Sequence, residues 1–163
     1  MAGARCLTAL AKAFSMSTAS DPLADFPLVV SLPVQWGDQD AFLHVNNTVY
    51  LKWCESARIA YVDRIGLSES MTRDQIGVIL AAISCNYRKP VTYPDTIRCG
   101  AKITRLGRSS LTMEHVITSE AQQKIVADAQ STLVVFDYRR QASEPIPEEI
   151  RQAIEEFEGR SLS

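Results

Sequence analysis

The sequence predicts a single α+β domain in which one antiparallel sheet curls around one long helix. Three observations carry that expectation. Val49, Tyr50, Trp53, Cys54, Ala57, Ala60, Tyr61 and Ile65 recur at three- and four-residue steps, the spacing of one helix face. Beyond residue 75 the chain falls into extended apolar or alternating runs. Short turns join most of those runs, and short connections between strands form antiparallel hairpins.

Taken in order, Phe26–Trp36 reads as a first strand, and Pro27 and Pro33 restrict it to an edge or a bulge. The segment from Gly37 to Asn47 is rich in turn formers and caps and reads as a structured loop. The long helix then runs from Asn47 to Ile65, with Lys52, Glu55, Arg58 and Asp63 on its other face. Asn46 or Asn47 can cap its start, because an Asn side chain accepts from unpaired N–H groups of the first turn. Gly66 can end it in the left-handed conformation. At about 1.5 Å per residue the helix is about 28 Å long, which calls for a sheet wrapped against it.

Four strands follow. Ile76–Lys89 is closed by Pro90, and Thr96–Leu106 alternates Ile97, Cys99, Ala101 and Ile103 against Arg98, Gly100, Lys102 and Thr104. A turn at Gly107-Arg108 leads into Ser110–Thr118, and Gln122-Gln123 turns into Ile125–Tyr138. After Pro145 and Pro147, Glu148–Glu158 reads as a short acidic helix. The expected organisation is a flexible extension over 1–25, the domain over 26–158 and a tail over 159–163.

The chain has 163 residues, 46% hydrophobic and 22% charged, with a formal net charge of -2. That length suits one domain. The charge balance excludes a nucleic-acid binder that relies on a broad basic surface. No apolar run approaches the roughly 18 residues of a membrane span, so no membrane partner is expected. The four cysteines, Cys6, Cys54, Cys85 and Cys99, show no CxxC spacing, and the only histidines are His44 and His115. A structural zinc site is therefore not expected, and the cysteines read as reduced core residues of an intracellular protein. Met1–Ser20 holds Arg5, Lys12, small residues and no acid. That composition fits an organelle transit peptide, but also a plain disordered extension or an upstream start with Met16 as the true first residue. The latter readings are favoured, and a cytoplasmic location goes with them.

The chemistry points to the loop before the long helix. Asp38 and Asp40 stand there, and each also suits a turn or a cap. The loop delivers a carboxylate to a helix N-terminus, which carries unpaired N–H groups and partial positive charge. Such an end can stabilise a carbonyl oxygen as it becomes an oxyanion. His44 can orient the loop by hydrogen bonds. A Cys54 thiolate paired with His44 is a weaker alternative, because ten residues separate them and Cys54 lies about two turns inside the helix. Arg88, Lys89, Arg105 and Arg108 read as solvated strand ends that can also meet a phosphate.

The run from Gln35 to Tyr50, Gln-Trp-Gly-Asp-Gln-Asp-Ala-Phe-Leu-His-Val-Asn-Asn-Thr-Val-Tyr, resembles the signature of the 4-hydroxybenzoyl-CoA thioesterase-like family of hot-dog folds. Trp53, Glu55 and Arg58 match its helix, Asn86-Tyr87-Arg88-Lys89-Pro90 its strand ending in Tyr-x-x-Pro, and Arg105–Ser110 its central hairpin. Pro145–Ile150 is similar to the ending of its bacterial members. The resemblance spans about residues 27–158 and implies a hot-dog fold: a five-stranded antiparallel sheet around a central helix, with a short C-terminal helix. It implies an acyl-CoA thioesterase that needs no cofactor, CoA being part of the substrate. Asp40 matches the catalytic carboxylate, and the backbone N–H near Asn47 matches the group that polarises the thioester carbonyl. Asp38, Leu43, Asn46, Tyr50, Arg88, Lys89, Arg105 and Arg108 are the expected substrate contacts. The departure is Leu43, where the family usually carries glycine. Plant acyl-carrier-protein thioesterases usually have Asn in place of Phe42, which favours a CoA substrate here. Family members resemble dimers or tetramers, so self-association is expected. The alternatives are a non-catalytic acyl-CoA binder of the same fold and a hot-dog dehydratase. The presence of Asp40 disfavours the binder, and the Asp-x-Asp signature disfavours the dehydratase.

Overall fold

A computed structural model describes residues 21–162, so the readings of Met1–Ser20 lie outside the described residues. Its elements in chain order are β1 (Leu28–Pro33), α1 (Asn47–Arg64), α2 (Leu67–Asp74), β2 (Ile76–Tyr87), β3 (Thr96–Leu106), β4 (Ser110–Ser119), β5 (Lys124–Asp137), β6 (Ala142–Ser143) and α3 (Glu148–Glu158). The sheet runs β1-β3-β4-β5-β2 with every pairing antiparallel, and β6 pairs with β5. Pro33 sits on edge strand β1, where a missing N–H need not break a ladder on both sides. Register shifts at Leu80–Ala82, Ile103–Arg105 and Ile117–Thr118 interrupt the ladders. Each such irregularity adds local bend and twist, which is how a sheet curls around a helix.

The helix lies in that curl as expected. Asn46 Oδ1 accepts the Thr48 N–H at 2.9 Å, and Gly66 at φ 81° follows the last turn in the left-handed region. Tyr50, Trp53, Cys54, Ala57, Tyr61 and Val62 are buried on α1 against Ile97, Cys99, Ile103, Met113, Ile117 and Leu133 of the sheet. Tyr61 shares the closed end of the core with α3: its ring meets Phe157 edge-on at 5.2 Å and its hydroxyl donates to Glu158 at 2.6 Å.

Two elements escape the sequence reading. Leu67–Asp74 is a helix rather than a connector, and it buries only Leu67 and Ser70, too few apolar positions to show a period. The two-residue β6 follows Tyr138 and extends the line of β4 along β5. Residues near both ends of the described chain pack onto the domain. Residues 21–25, assigned to the flexible extension, instead form a turn over the sheet, with Leu23 buried and Asp21 paired to Arg98 at 3.1 Å. Gly100 permits it: a Cβ there would lie 2.7 Å from Phe26 Cγ and 2.9 Å from Leu23 Cδ2. At the other end Leu162 is buried and Arg160 donates to the Ile103 carbonyl at 3.2 Å, so the tail packs onto β3.

Candidate active site

Between β1 and α1 the chain makes one 3₁₀ turn (Trp36–Asp38) and then a small hairpin closed by a bridge between Gln39 and Val45. Inside it the Leu43 N–H donates to the Asp40 carbonyl at 3.0 Å and the Asp40 N–H to the His44 carbonyl at 2.9 Å. This is a three-residue hairpin loop, a turn followed by one left-handed residue. Leu43 is that residue, at φ 63°. A side chain there costs about 1–2 kcal/mol that glycine would avoid, which explains the family's usual glycine. Leu43 is 72% exposed, so its side chain is not part of a pocket within the chain.

Asp38 is a brace. Its Oδ2 accepts the Gln35 N–H at 2.8 Å, and its carbonyl accepts the Asn46 N–H at 2.8 Å, tying the loop to the helix cap. Val45 N–H donates to the Val91 carbonyl at 2.8 Å, and Tyr93 N–H to Gln39 Oε1 at 3.2 Å, which fix the loop beside the segment between β2 and β3. Asp40, half-buried, has Oδ1 held by the Phe42 N–H at 2.8 Å; Oδ2 has no hydrogen-bond partner among the described residues. The His44 ring makes no hydrogen bond among them either. Its backbone carbonyl accepts the Asp40 N–H within the loop.

A cavity of about 330 Å³ opens at the start of α1, lined by Asp40, His44, Val45, Asn47, Tyr50, Tyr87, Arg88, Lys89 and Pro90. The Thr48 N–H is taken by Asn46 and the Asn46 N–H by Asp38, while the Asn47 N–H has no partner among the described residues. Tyr50 is buried and stacks edge-on against Tyr87 at 5.2 Å; burial raises its hydroxyl pKa, keeping it neutral. The Tyr87 hydroxyl donates to the Asn47 carbonyl at 3.2 Å and pins the first turn to the end of β2. Arg88 is engaged by Asp128, whose carboxylate it holds below the usual range. Lys89 is exposed and makes no ion pair among the described residues.

Of the expected site residues, the fold thus joins Asp40, His44, Asn47, Tyr50, Arg88 and Lys89. Asp38 and Asn46 support from behind. Arg105 and Arg108 are not there. Arg105 lies near the end of β3 and Arg108 in the turn beyond it, and neither lines this cavity. Tyr87 and Pro90 were missed as site residues although their Tyr-x-x-Pro motif was visible. A larger hollow of about 490 Å³ lies between Asp25, Lys102 and Arg160. One of its carboxylates, Glu158, accepts from Tyr61 at 2.6 Å and from the Ile103 N–H at 2.5 Å.

A second polar group lies deeper. Cys54, Cys99 and His115 are buried with their sulfurs and a ring nitrogen all within 4.8 Å of one another. Sequence spacing gave no sign of it, because the three come from α1, β3 and β4. Burial pushes the His115 pKa down to about 4, with the positive charge of Arg58 adding to it.

Residues 34–154 match the family model described as the thioesterase-like superfamily. The long-chain acyl-CoA thioesterase FadM of Escherichia coli strain K12 is 31% identical over 118 residues, covering 72% of this chain and 89% of its own. A thioesterase of Thermus thermophilus, solved with coenzyme A and zinc, superposes with a TM-score of 0.76 at 34% identity, over 85% of this chain and 99% of its own. A chloroplastic acyl-acyl carrier protein thioesterase of Arabidopsis thaliana is 23% identical over 129 residues, 78% of this chain and 67% of its own.

Proposed function

The chain belongs to the thioesterase-like superfamily and is a thioester hydrolase, and from that premise we propose that it cleaves acyl-CoA to a free acid and CoA with Asp40 and the Asn47 end of α1. The observation that carries the mechanism is one cavity holding both Asp40 and the unpartnered Asn47 N–H. The thioester oxygen accepts from that N–H, whose hydrogen bond strengthens as the oxygen gains charge. Ionised Asp40 either attacks the carbonyl carbon, giving an anhydride that water opens, or takes the proton of an attacking water. In both routes the C–S bond breaks, and the CoA sulfur leaves as a thiolate that is then protonated. Tyr50 and Tyr87 wall the acyl carbonyl, and Lys89 meets a CoA phosphate. The reaction needs no cofactor, CoA being part of the substrate.

The active form is at least a dimer. Edge strands β1 and β2 each leave one side of their ladder unpaired within the chain, and such edges call for a partner or protection. A second copy also supplies the missing wall of an open cavity and Arg105 and Arg108. A fully active monomer in light scattering at micromolar concentration would defeat this part. No helix among the described residues is long and apolar enough to cross a membrane, and the proposed location is the cytoplasm.

The test is a thiol-release assay on a panel of acyl-CoAs, run on wild type and Asp40→Asn. The expected result is turnover that falls at least about a hundredfold in the variant, since general-base loss costs roughly 10²–10⁴-fold, with KM nearly unchanged. A variant keeping more than about a tenth of kcat would overturn the assignment. Tight acyl-CoA binding without any thiol release by wild type would favour the non-catalytic reading.

A further inference from the structure

We propose that Cys54, Cys99 and His115 form a buried binding site for a soft divalent metal ion of the zinc class, separate from the thioester site. Cys54 and Cys99 are 0% exposed and His115 is 1% exposed, and all three cysteines among the described residues are free thiols. The two sulfurs and a ring nitrogen lie within 4.8 Å of one another. Tetrahedral zinc with Zn–S of about 2.3 Å sets sulfurs about 3.8 Å apart, so the group needs to close by only about 1 Å.

Two further observations point to a ligand. His115 Nε2 lies 3.0 Å from Ser131 Oγ. A proton on Nε2 donated to that hydroxyl leaves the lone pair on Nδ1, which is how a histidine ligand is oriented from behind. Nδ1 is buried without a hydrogen-bond partner. Buried polar atoms are nearly always satisfied, so an orphaned one asks for a partner. Thiolate, not thiol, is the metal ligand.

Two thiols lose their protons to solvent as the ion binds, and the two thiolates balance its two charges. Thiolate and imidazole donors select zinc-class ions over magnesium or calcium. The site ties α1 to β3 and β4 at Cys54, about 10 Å along the helix from Asn47. Its occupancy fixes the helix whose first turn holds the reaction.

Cobalt(II) titration of the reduced, chelator-stripped full chain tests this. The expected result is one ion per chain, a sulfur-to-cobalt charge-transfer band, tetrahedral d–d bands, and displacement by zinc. Outer-shell partners alone are worth 10–100-fold in affinity. Ser131→Ala should therefore weaken zinc binding by about 10–100-fold, and Cys54→Ser or Cys99→Ser by about a hundredfold or more. The Cys6→Ser/Cys85→Ser double variant keeps both proposed sulfurs and should bind like wild type. Absence of the charge-transfer band in wild type would overturn the proposal, as would its loss in the Cys6/Cys85 variant. The wild-type spectrum and Ser131→Ala decide the matter even if a cysteine variant fails to fold.

Discussion

At its C-terminal end α1 is shut in: Tyr61 is 0% exposed, Phe157 and Glu158 close over it, and Ile65 is buried beneath the Gly66 turn. At its N-terminal end the same helix opens onto a cavity of about 330 Å³. There Phe42, 81% exposed, and the left-handed Leu43 crown the loop. The contrast separates two duties along one element. Polar groups at the closed end are spent on each other, with Tyr61 and the Ile103 N–H both satisfied by Glu158. At the open end the Asn47 N–H and one oxygen of Asp40 are left for a substrate.

The largest expected effect belongs to the closed end. Tyr61→Ala removes a buried ring and should cost about 3–5 kcal/mol of stability, read as a lower denaturant midpoint; an unchanged midpoint would break the contrast. Asp40→Asn should act oppositely, lowering kcat at least about a hundredfold while leaving the unfolding midpoint within about 0.5 kcal/mol of wild type. Asp38→Asn, which loosens a brace, should lose less activity than Asp40→Asn in the same assay. Asn46→Ala should cost about 1 kcal/mol, the usual value of a helix cap, and should reduce kcat as well, because that cap presents the Asn47 N–H. Lys89→Ala should raise KM for acyl-CoA a few-fold, since exposed charge pairs are worth about 0.2–1 kcal/mol. That penalty should shrink as salt is added.

Alkaline unfolding sharpens the same contrast. Burial and the neighbouring Glu158 raise the Tyr61 pKa far above its ordinary value near 10. Above about pH 10 the unfolded chain sheds the phenolic proton and the folded chain keeps it. Stability is then full below that pH and falls as pH rises beyond it. Tyr61→Phe should flatten that fall in an unfolding series between neutral and alkaline pH.

Much of this was legible from residues alone. The α1 period, the Asn46 cap and the Gly66 stop all mark themselves locally, so the helix ends within one residue of its expected Ile65. The Asp40 loop was equally visible, because its turn formers and its motif lie in one short run. What failed to show depends on long-range assembly. Arg105 and Arg108 read as ligand contacts by charge, yet β3 and the turn after it leave both outside the lining of the cavity. Cys54, Cys99 and His115 look like ordinary members of three apolar faces, and only the β3–β4 register and the helix above it bring them together. The helix Leu67–Asp74 stayed hidden because it turns mainly polar residues to solvent.

The left-handed Leu43 has a consequence for how this loop can evolve. A position at φ 63° passes glycine, asparagine and aspartate readily and excludes valine, isoleucine and threonine, whose branched Cβ makes that backbone region a genuine outlier. Lineages of this protein should therefore drift at residue 43 within that narrow set, with leucine as a tolerated visitor. The neighbouring Phe42, outside the left-handed position, should vary far more widely. A deep mutational scan scored on thiol release would show the two columns side by side: tall penalties for branched residues at 43, shallow ones at 42.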